Sequence, residues 1–156
     1  MIPVIFKTVN RIVDVGESDI KFDRTPVAVL GLGVDMIEID RIVDALERRS
    51  GPRFEKRVFT AGEIEYCRSM SNPYPHFAAR FAAKEAVMKA FGTGWSADVT
   101  WQGIEVVRDR RGKPHIRLNG KTAELAGKLG AKVAHVSLSH DKGRAMAAAL
   151  LVGEPE

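Results

Sequence analysis

Cysteine is almost absent from this sequence of 156 residues, which contains only Cys67. One cysteine cannot form an internal disulfide, and it leaves no set of thiolates for a cysteine-based zinc site. Long hydrophobic runs are also absent, because the apolar start at residues 2–6 is interrupted by Pro3 and is too short for a signal-peptide core or a membrane span. We therefore expect a cytoplasmic protein of a reducing compartment, with no membrane as a partner.

Neither sign of charge dominates the sequence. Lysine and arginine number 24 and aspartate and glutamate 20, which gives a net charge of +4 in a chain that is 45% hydrophobic. A basic excess spread over a normally hydrophobic chain excludes a disordered polycation and favours an anionic partner. Aromatic residues are few, at 7%, and their pattern is not that of a single-strand nucleic-acid binder. We expect no nucleic-acid partner, although a basic module that contacts nucleic acid through its arginines stays an alternative.

The length predicts one domain, and the residue patterns predict an α+β fold. A leader over residues 1–26 is interpreted as a short strand and linker, an N-terminal extension that precedes a domain over residues 27–156. Helical patterns cluster in the middle and strand patterns toward the end, so we expect an antiparallel-rich sheet packed with a long central helix and shorter helices. The predicted strands cover 27–34, 103–107, 115–118, 133–139 and 145–152, and the predicted helices cover about 40–50, 61–70, 77–91 and 121–129.

Local signals set the expected ends of the helices. Asp40 is a candidate N-cap for the first helix, and residues 51–52 (Gly-Pro) are expected to stop it. Residues 60–63 (Thr-Ala-Gly-Glu) have the form of a capping box, which predicts the start of the second helix. Gly92 follows the alanine-rich helix 77–91 in the position of a C-terminal cap.

The helix predicted over 77–91 carries charge in an otherwise apolar element. Glu85 and Lys89 are four residues apart with the acid first, which suits a simple intrahelical surface pair of ~0.3–0.5 kcal/mol. Phe77 and Phe81 lie on the same stripe of the helix, so the stripe runs from the core into charge. We expect the charged end of the stripe to be half-buried. Glu85 and Lys89 can still be either a simple surface pair or a functional pair.

Arg80 and Lys84 form a second pair on the same helix. Like charges four residues apart cost a few tenths of a kcal/mol unless an anion lies near them. With Glu85 and Lys89 close by, the pattern suggests an acid that holds a cation beside bases that hold phosphates.

Asp35, at the expected end of the first strand, is the second candidate for a functional residue. One interpretation is that it only caps a turn or a helix. Gly31 and Gly33 remove side-chain bulk just before it, which permits another chain or a ligand to approach the backbone. This spacing is not the dinucleotide fingerprint, which needs a third glycine at the start of a helix. An aspartate from a strand and Glu85 from a helix would form an oxygen-only site, which suits Mg2+ completed by substrate phosphates better than zinc.

Two other kinds of enzyme compete with this interpretation. One is a serine hydrolase with a nucleophilic triad drawn from Ser137, Ser139 and His140. The sequence lacks the Gly-x-Ser-x-Gly elbow that would support it. His140 at a strand end is more simply a ligand contact or a turn hydrogen bond. Another Mg2+-dependent phosphotransferase or a nucleotide hydrolase is the further alternative, and it keeps Asp35 and Glu85 as metal ligands.

Several blocks of this sequence resemble the holo-[acyl-carrier-protein] synthases, the small bacterial class of 4'-phosphopantetheinyl transferases. They are GLGVDMIEIDRI at 31–42, FTAGE at 59–63, FAARFAAKEAVMKAFGTG at 77–94, GKP at 112–114 and VSLSH at 136–140. The block around Lys84-Glu85-Ala86 is highly specific in length and composition. The resemblance extends over about residues 29–152, and the leader departs from the usual start of the family.

The resemblance implies a Mg2+-dependent transfer of 4'-phosphopantetheine from coenzyme A to a serine of apo acyl carrier protein. Adenosine 3',5'-bisphosphate is released in this reaction of fatty acid biosynthesis. In the family, the residues that match Asp35 and Glu85 bind the metal. The lysine that matches Lys89 approaches the diphosphate and has been proposed as a base. Lys113 and His140 match residues that line the nucleotide part of the cleft.

The resemblance also implies protein partners. Arginines of the first helix meet the acidic surface of the carrier protein in this family, and Arg41 occupies the matching position. Arg48 and Arg53 are expected to extend this surface, although residues 50–53 contain what looks like a small insertion. Members of the class resemble one another in forming trimers with the cleft between subunits, which implies a homotrimer here.

Overall fold

The computed structural model describes residues 26–155 of the chain. Along these residues the elements are β1 (Ala28–Glu38), α1 (Ile39–Glu47), α2 (Gly51–Val58), α3 (Ala61–Arg68), α4 (Tyr74–Phe91), β2 (Ile104–Arg108), β3 (Pro114–Leu118), α5 (Gly120–Lys128), β4 (Ala131–His140) and β5 (Arg144–Gly153). The strand and linker predicted for the leader, residues 1–26, lie outside the described residues apart from Pro26. No helix of the described part is both long enough and apolar enough to cross a membrane.

Two antiparallel sheets form the β part of the molecule. Strands β1, β5 and β4, in that order, make a three-stranded sheet, and β2 pairs with β3 in a hairpin. In the larger sheet Asp35 of β1 lies opposite Ala147 of β5, which in turn lies opposite Leu138 of β4. The predicted α+β fold, with its antiparallel-rich sheet and long central helix, is confirmed.

Helix α4 packs directly on the backbone of β1. A Cβ atom added at Gly33 would lie 1.9 Å from the carbonyl oxygen of Ala86, and one added at Gly31 would lie 1.9 Å from that of Ala90. No side chain fits in so short a space, so glycine is what lets strand and helix backbones touch. The close approach predicted at these glycines is therefore made by a helix of the same chain, and it leaves Asp35 two residues further along the same face of β1.

The prediction of a buried first strand ending at Asp35 is wrong. Strand β1 continues to Glu38, and only the face that meets α4 is covered. On the other face Leu32, Val34 and Met36 are 65%, 49% and 57% exposed. The sequence pattern misleads because glycines on the covered face and aliphatic residues on the open face together give an unbroken apolar run.

The first helical region is divided into two helices. Helix α1 begins at Ile39 and ends at Glu47, with Glu38 rather than the predicted Asp40 at the N-cap position. Residues 51–52 do not stop a helix but begin α2, with the proline in the first turn. A proline there loses no hydrogen bond, because the first N–H groups of a helix have no intrahelical partner.

The signals predicted for α3 and α4 are confirmed. The Thr60 hydroxyl accepts a bond from the Glu63 N–H at 3.3 Å, and the Glu63 carboxylate accepts one from the Thr60 N–H at 2.9 Å, which completes the capping box. Helix α4 begins at Tyr74, about one turn before the prediction, and ends at Phe91, with Gly92 as its C-cap at a φ of +74°.

Candidate active site

Asp35 and Lys89 meet where β1 passes beneath the last turn of α4. The Lys89 ammonium donates to Asp35 Oδ1 at 2.8 Å and to the carbonyl of Val34 at 3.0 Å. Glu85 lies one helical turn before Lys89 on the same side of α4. The predicted half-burial is confirmed, since Glu85 is partly buried and the Lys89 side chain is 50% exposed. The structure thus brings the three predicted catalytic residues together.

The electrostatics of this site centre on Glu85. Partial burial raises the pKa of Glu85 above its ordinary value, the negative charge of Asp35 raises it further, and the ammonium of Lys89 acts in the opposite direction. Two carboxylates and one ammonium leave an excess of one negative charge when all three are ionised. The site therefore favours the arrival of a cation.

The donor set fits Mg2+. Within residues 26–155, no three or more His, Cys, Asp and Glu side chains gather as a group that could hold a metal by themselves. Mg2+ needs fewer protein ligands, because it commonly takes one or two carboxylates and completes its coordination with water and substrate phosphates. Asp35 and Glu85 suit that mode of binding when a diphosphate lies beside them.

The raised pKa of Glu85 predicts that Glu85→Gln will raise the thermal midpoint of the protein in EDTA at neutral pH. Its folded pKa lies above its unfolded value, so the folded state holds the proton more tightly and stability falls as pH rises between the two values. Ionised Glu85 therefore costs stability, and glutamine removes that cost. Scanning calorimetry from about pH 7 down to about pH 4 should show the difference from wild type shrinking as the carboxyl group becomes protonated.

Glu124→Gln is the matched control for this experiment, because Glu124 lies on the exposed face of α5. Its midpoint should follow that of the wild type at every pH. A Glu85→Gln protein that unfolds below the wild-type temperature in EDTA would show that the carboxylate stabilises the metal-free fold, contrary to the electrostatics described above.

Lys84 does not face the acidic site. Its ammonium is fully buried, 2.7 Å from Glu63 Oε2, and it donates to the carbonyls of Trp101 at 2.7 Å and Ile104 at 2.6 Å. The hypothesis that Lys84, with Arg80, holds phosphates is therefore wrong for Lys84. Its nearby anion is Glu63 of the same chain.

A second group of charged side chains surrounds Tyr66, beside the first half of α4. The guanidinium carbons of Arg80 and Arg108 lie 4.0 Å and 5.3 Å from the centre of the Tyr66 ring. The rings of His76 and His140 are 6.0 Å apart, and His76 also packs edge-on against Tyr66. We call these five residues the Tyr66 cation cluster.

The Tyr66 cation cluster lacks a neutralising acid among the described ion pairs. Arg80 is 4% exposed, forms no ion pair in residues 26–155, and has a buried Nε without a hydrogen-bond partner in that part of the chain. Burial lowers the pKa of His76, and the positive charges of Arg80, His140 and Arg108 lower it further. Such surplus positive charge suits an anion.

Only part of this cluster was predicted from the sequence. His140 was predicted as a ligand contact, and Arg80 was predicted to need an anion, but His76, Tyr66 and Arg108 were missed. Tyr66 lies in α3, His76 in α4 and Arg108 in β2. These residues are far from His140, at the end of β4, in the sequence, so no local pattern could predict that they meet it.

The triad alternative is wrong for a geometric reason. Ser139 and His140 are consecutive residues of β4, so their side chains leave opposite faces of the sheet, and Ser137 shares the face of Ser139. A serine nucleophile and its base must share one site, which this strand does not allow.

Lys113 lies apart from the acidic site. It lines a cleft between β3 and β4, together with residues 114–116 and 133–136. Asp35, Glu85 and Lys89 do not line this cleft. The structure therefore brings only some of the predicted binding residues together.

The predicted partner-binding arginines are all exposed. Arg41 lies in the first turn of α1, Arg48 at its C-terminal cap and Arg53 in α2. None of the three forms an ion pair in the part of the chain that the structure describes. They present positive charge from two consecutive helices.

Residues 31–149, which contain the acidic site, match the model of the 4'-phosphopantetheinyl transferase superfamily. The chain is 46% identical over 123 residues to the holo-[acyl-carrier-protein] synthase of Koribacter versatilis, which covers 79% of this chain and 98% of the relative. It is 49% identical over 121 residues to the holo-[acyl-carrier-protein] synthase of Ruminiclostridium cellulolyticum, and the match covers 77% of this chain and 90% of the relative. The chain belongs to the holo-[acyl-carrier-protein] synthase family of this superfamily.

Solved structures agree with the sequence relatives. The holo-[acyl-carrier-protein] synthase of Neisseria meningitidis is similar with a TM-score of 0.74 at 28% identity, covering 80% of this chain and 98% of that one. The Helicobacter pylori enzyme in complex with coenzyme A is similar with a TM-score of 0.69 at 27% identity, and the match covers 77% of this chain and 98% of that one. The Bacillus anthracis enzyme in complex with coenzyme A (3',5'-ADP) gives 0.67 at 33% identity, covering 81% and 98%.

Proposed function

We propose that this protein transfers 4'-phosphopantetheine from coenzyme A to a serine of apo acyl carrier protein and releases adenosine 3',5'-bisphosphate. Asp35, Glu85 and Lys89 carry the proposal, because they form one acidic, lysine-bearing site in a chain of the holo-[acyl-carrier-protein] synthase family. Structures of relatives that contain coenzyme A support it as the donor. The reaction would serve fatty acid biosynthesis.

Asp35 and Glu85 would hold Mg2+, which supplies positive charge to the diphosphate of coenzyme A when it is bound. The two carboxylates come from different elements, and the glycine contact between β1 and α4 fixes their separation. Their excess negative charge supports this assignment.

Lys89 has a donor left for the substrate. An ammonium has three N–H donors, and Lys89 uses two of them on Asp35 and on the carbonyl of Val34. The third donor can bind a diphosphate oxygen beside the carboxylates. In this position Lys89 holds the leaving phosphate in place while the carrier serine attacks the other phosphorus.

The nucleotide part of coenzyme A would extend along α4 to the Tyr66 cation cluster. The cluster offers buried and exposed cations to a phosphate, and the unpartnered Nε of Arg80 provides a donor. His140 is assigned to this end of the site, in keeping with its predicted contact to the nucleotide.

We assign the transferase to residues 27–156 and propose that it works as a homotrimer. The open face of the larger sheet supports self-association, since its exposed apolar side chains have no cover in the described chain. These residues are Leu32, Val34, Met36, Val133 and Met146. Lys113 lies away from the acidic site of its own subunit, and in a trimer it would serve the cleft of a neighbour.

The expected setting is the cytoplasm, where coenzyme A and the carrier protein are the partners and neither nucleic acid nor a membrane is required. The reduced, buried thiol of Cys67 is compatible with this compartment. Burial raises the pKa of the Cys67 thiol to about 12, which keeps it protonated.

Measurement of adenosine 3',5'-bisphosphate release tests the proposed reaction against nucleotide hydrolysis. A transferase releases the bisphosphate from coenzyme A only when apo acyl carrier protein is present, in equal amount to the carrier consumed. Release at the same rate without the carrier would identify a hydrolase and reject the transfer.

Arg41→Glu is expected to raise the KM for the carrier protein about fivefold, which corresponds to ~1 kcal/mol for an exposed charge interaction. Arg41 is exposed on α1, so it acts on the encounter with an acidic surface within about a Debye length, ~8 Å at physiological salt. The KM for coenzyme A should change little. Steady-state kinetics with each substrate varied in turn, at low and high salt, measures both constants.

Lys128→Glu provides the matched control, because it makes the same change of charge on the exposed end of α5. Its carrier KM should equal that of the wild type. If neither Arg41→Glu nor added salt changes the KM for the carrier protein, the carrier protein does not dock on α1.

A further inference from the structure

Glu63 and Lys84 form a buried ion pair that joins three elements of the fold. Both side chains are fully buried, and Lys84 Nζ lies 2.7 Å from Glu63 Oε2. Glu63 belongs to α3 and Lys84 to α4. Lys84 also donates to the carbonyl of Ile104, the first residue of β2, and to that of Trp101, just before this strand. The charges thus sit in the core beside the helix that carries the acidic site.

All three donors of Lys84, and both carboxylate oxygens of Glu63, have partners inside the protein. The three N–H donors of the Lys84 ammonium go to Glu63, Trp101 and Ile104. Glu63 Oε1 accepts from the N–H of Val106 at 2.8 Å, and Oε2 accepts from the N–H of Thr60 at 2.9 Å. Lys84 has no donor for a phosphate, in contrast to Lys89.

The position of Lys84 in α4 gives the pair control over the rotation of that helix. Lys84 precedes Glu85, and neighbouring residues of an α-helix point about 100° apart. When Lys84 is held in the core by three bonds, the direction of Glu85 is set as well. The contact of Ala86 with Gly33 has no long side chain that could resist rotation. The bonds of Lys84 therefore add to the packing of the larger buried side chains of α4, such as Phe77 and Met88, in holding the helix.

We propose that Glu63 and Lys84 are positioning residues, which set the rotation of α4 so that Glu85 and Lys89 face Asp35. They act through the helix and touch no substrate. The inference rests on the proposed function of the acidic site, since the geometry being positioned is that of its carboxylates. Loss of a group that orients a metal ligand typically lowers metal affinity about 10- to 100-fold.

The experiment compares Lys84→Met with Lys84→Met/Glu63→Gln. The single variant leaves a buried carboxylate without its cation and should unfold at a much lower temperature, whereas the double variant removes both charges and should recover part of that loss. Binding of Mn2+, followed by electron paramagnetic resonance well below each midpoint, is the readout independent of activity. We expect Mn2+ affinity to fall about tenfold in the double variant.

Kinetics on the same proteins separate positioning from a purely structural role. In the double variant kcat should fall about tenfold with the metal affinity, and the KM for the carrier protein, which depends on α1, should stay at the wild-type value. Lys128→Met on the surface is the matched control and should match the wild type in every readout. A double variant with wild-type Mn2+ affinity and kcat would overturn the proposal.

Glu63→Asp keeps the test decisive if Lys84→Met does not fold. It retains both charges but shortens the link between α3 and α4 by one methylene. We expect a folded protein with weakened Mn2+ binding, and wild-type Mn2+ binding in spite of a lowered midpoint would contradict positioning. Absence of transfer by the wild-type protein would instead reject the proposed function, so the two failures are distinguishable.

Discussion

Asp35→Asn and Glu85→Gln are each expected to lower kcat for phosphopantetheine transfer by at least about a hundredfold while the protein stays folded. Each variant removes one of two anionic ligands from the acidic site without creating a cavity. Removal of the Asp35 charge also takes away the ion pair that helps to fix the direction of Lys89. Circular dichroism reports the fold, and mass analysis of the carrier protein at saturating Mg2+ reports the rate.

Glu124→Gln is again the matched control, since it makes the same substitution on the exposed face of α5. Its rate should equal that of the wild type. A wild-type rate in Asp35→Asn or Glu85→Gln would show that the carboxylates do not hold the metal, and the assignment of the acidic site would be lost.

Gly33→Ala is expected to lower the free energy of unfolding by about 3 kcal/mol or more, at the upper end of the cost of overpacking. The added Cβ would lie 1.9 Å from the carbonyl oxygen of Ala86, and a backbone atom cannot rotate away as a side chain can. Helix α4 must move off β1, which also separates Glu85 from Asp35. Thermal unfolding should show a midpoint lowered by roughly 10 °C, and the remaining folded protein should transfer poorly.

Gly127→Ala serves as its control. Gly127 lies inside α5, and a Cβ there meets no atom within 4 Å, so alanine should stabilise the helix by ~0.5–1 kcal/mol. If Gly33→Ala retains the wild-type midpoint, the contact between β1 and α4 does not hold the site together.

Strong local signals explain why much of the fold was predictable. The alanine-rich run of α4 and its glycine cap depend on neighbouring residues only, as does the capping box at Thr60. The stripe that carries Glu85 and Lys89 follows from helical periodicity once α4 is recognised. The sequence therefore predicts these elements with nearly correct bounds.

The rest depends on contacts between distant parts of the chain. Residues 51–52 can stop one helix or begin the next, and only the packing of α2 decides between the two. Lys84 looked like a phosphate ligand because its partner Glu63 lies on another helix. The open face of β1 was predicted to be core because a run of aliphatic residues gives the same pattern whether or not another element of the chain covers it.

The most direct test of the account is the intact mass of apo acyl carrier protein after incubation with coenzyme A, Mg2+ and this protein. The carrier should gain the mass of one phosphopantetheine arm, on its serine, and the gain should disappear when EDTA replaces Mg2+. A carrier of unchanged mass in the presence of Mg2+ and folded enzyme would contradict the transferase assignment, and a gain that persists in EDTA would contradict the metal-binding role of Asp35 and Glu85.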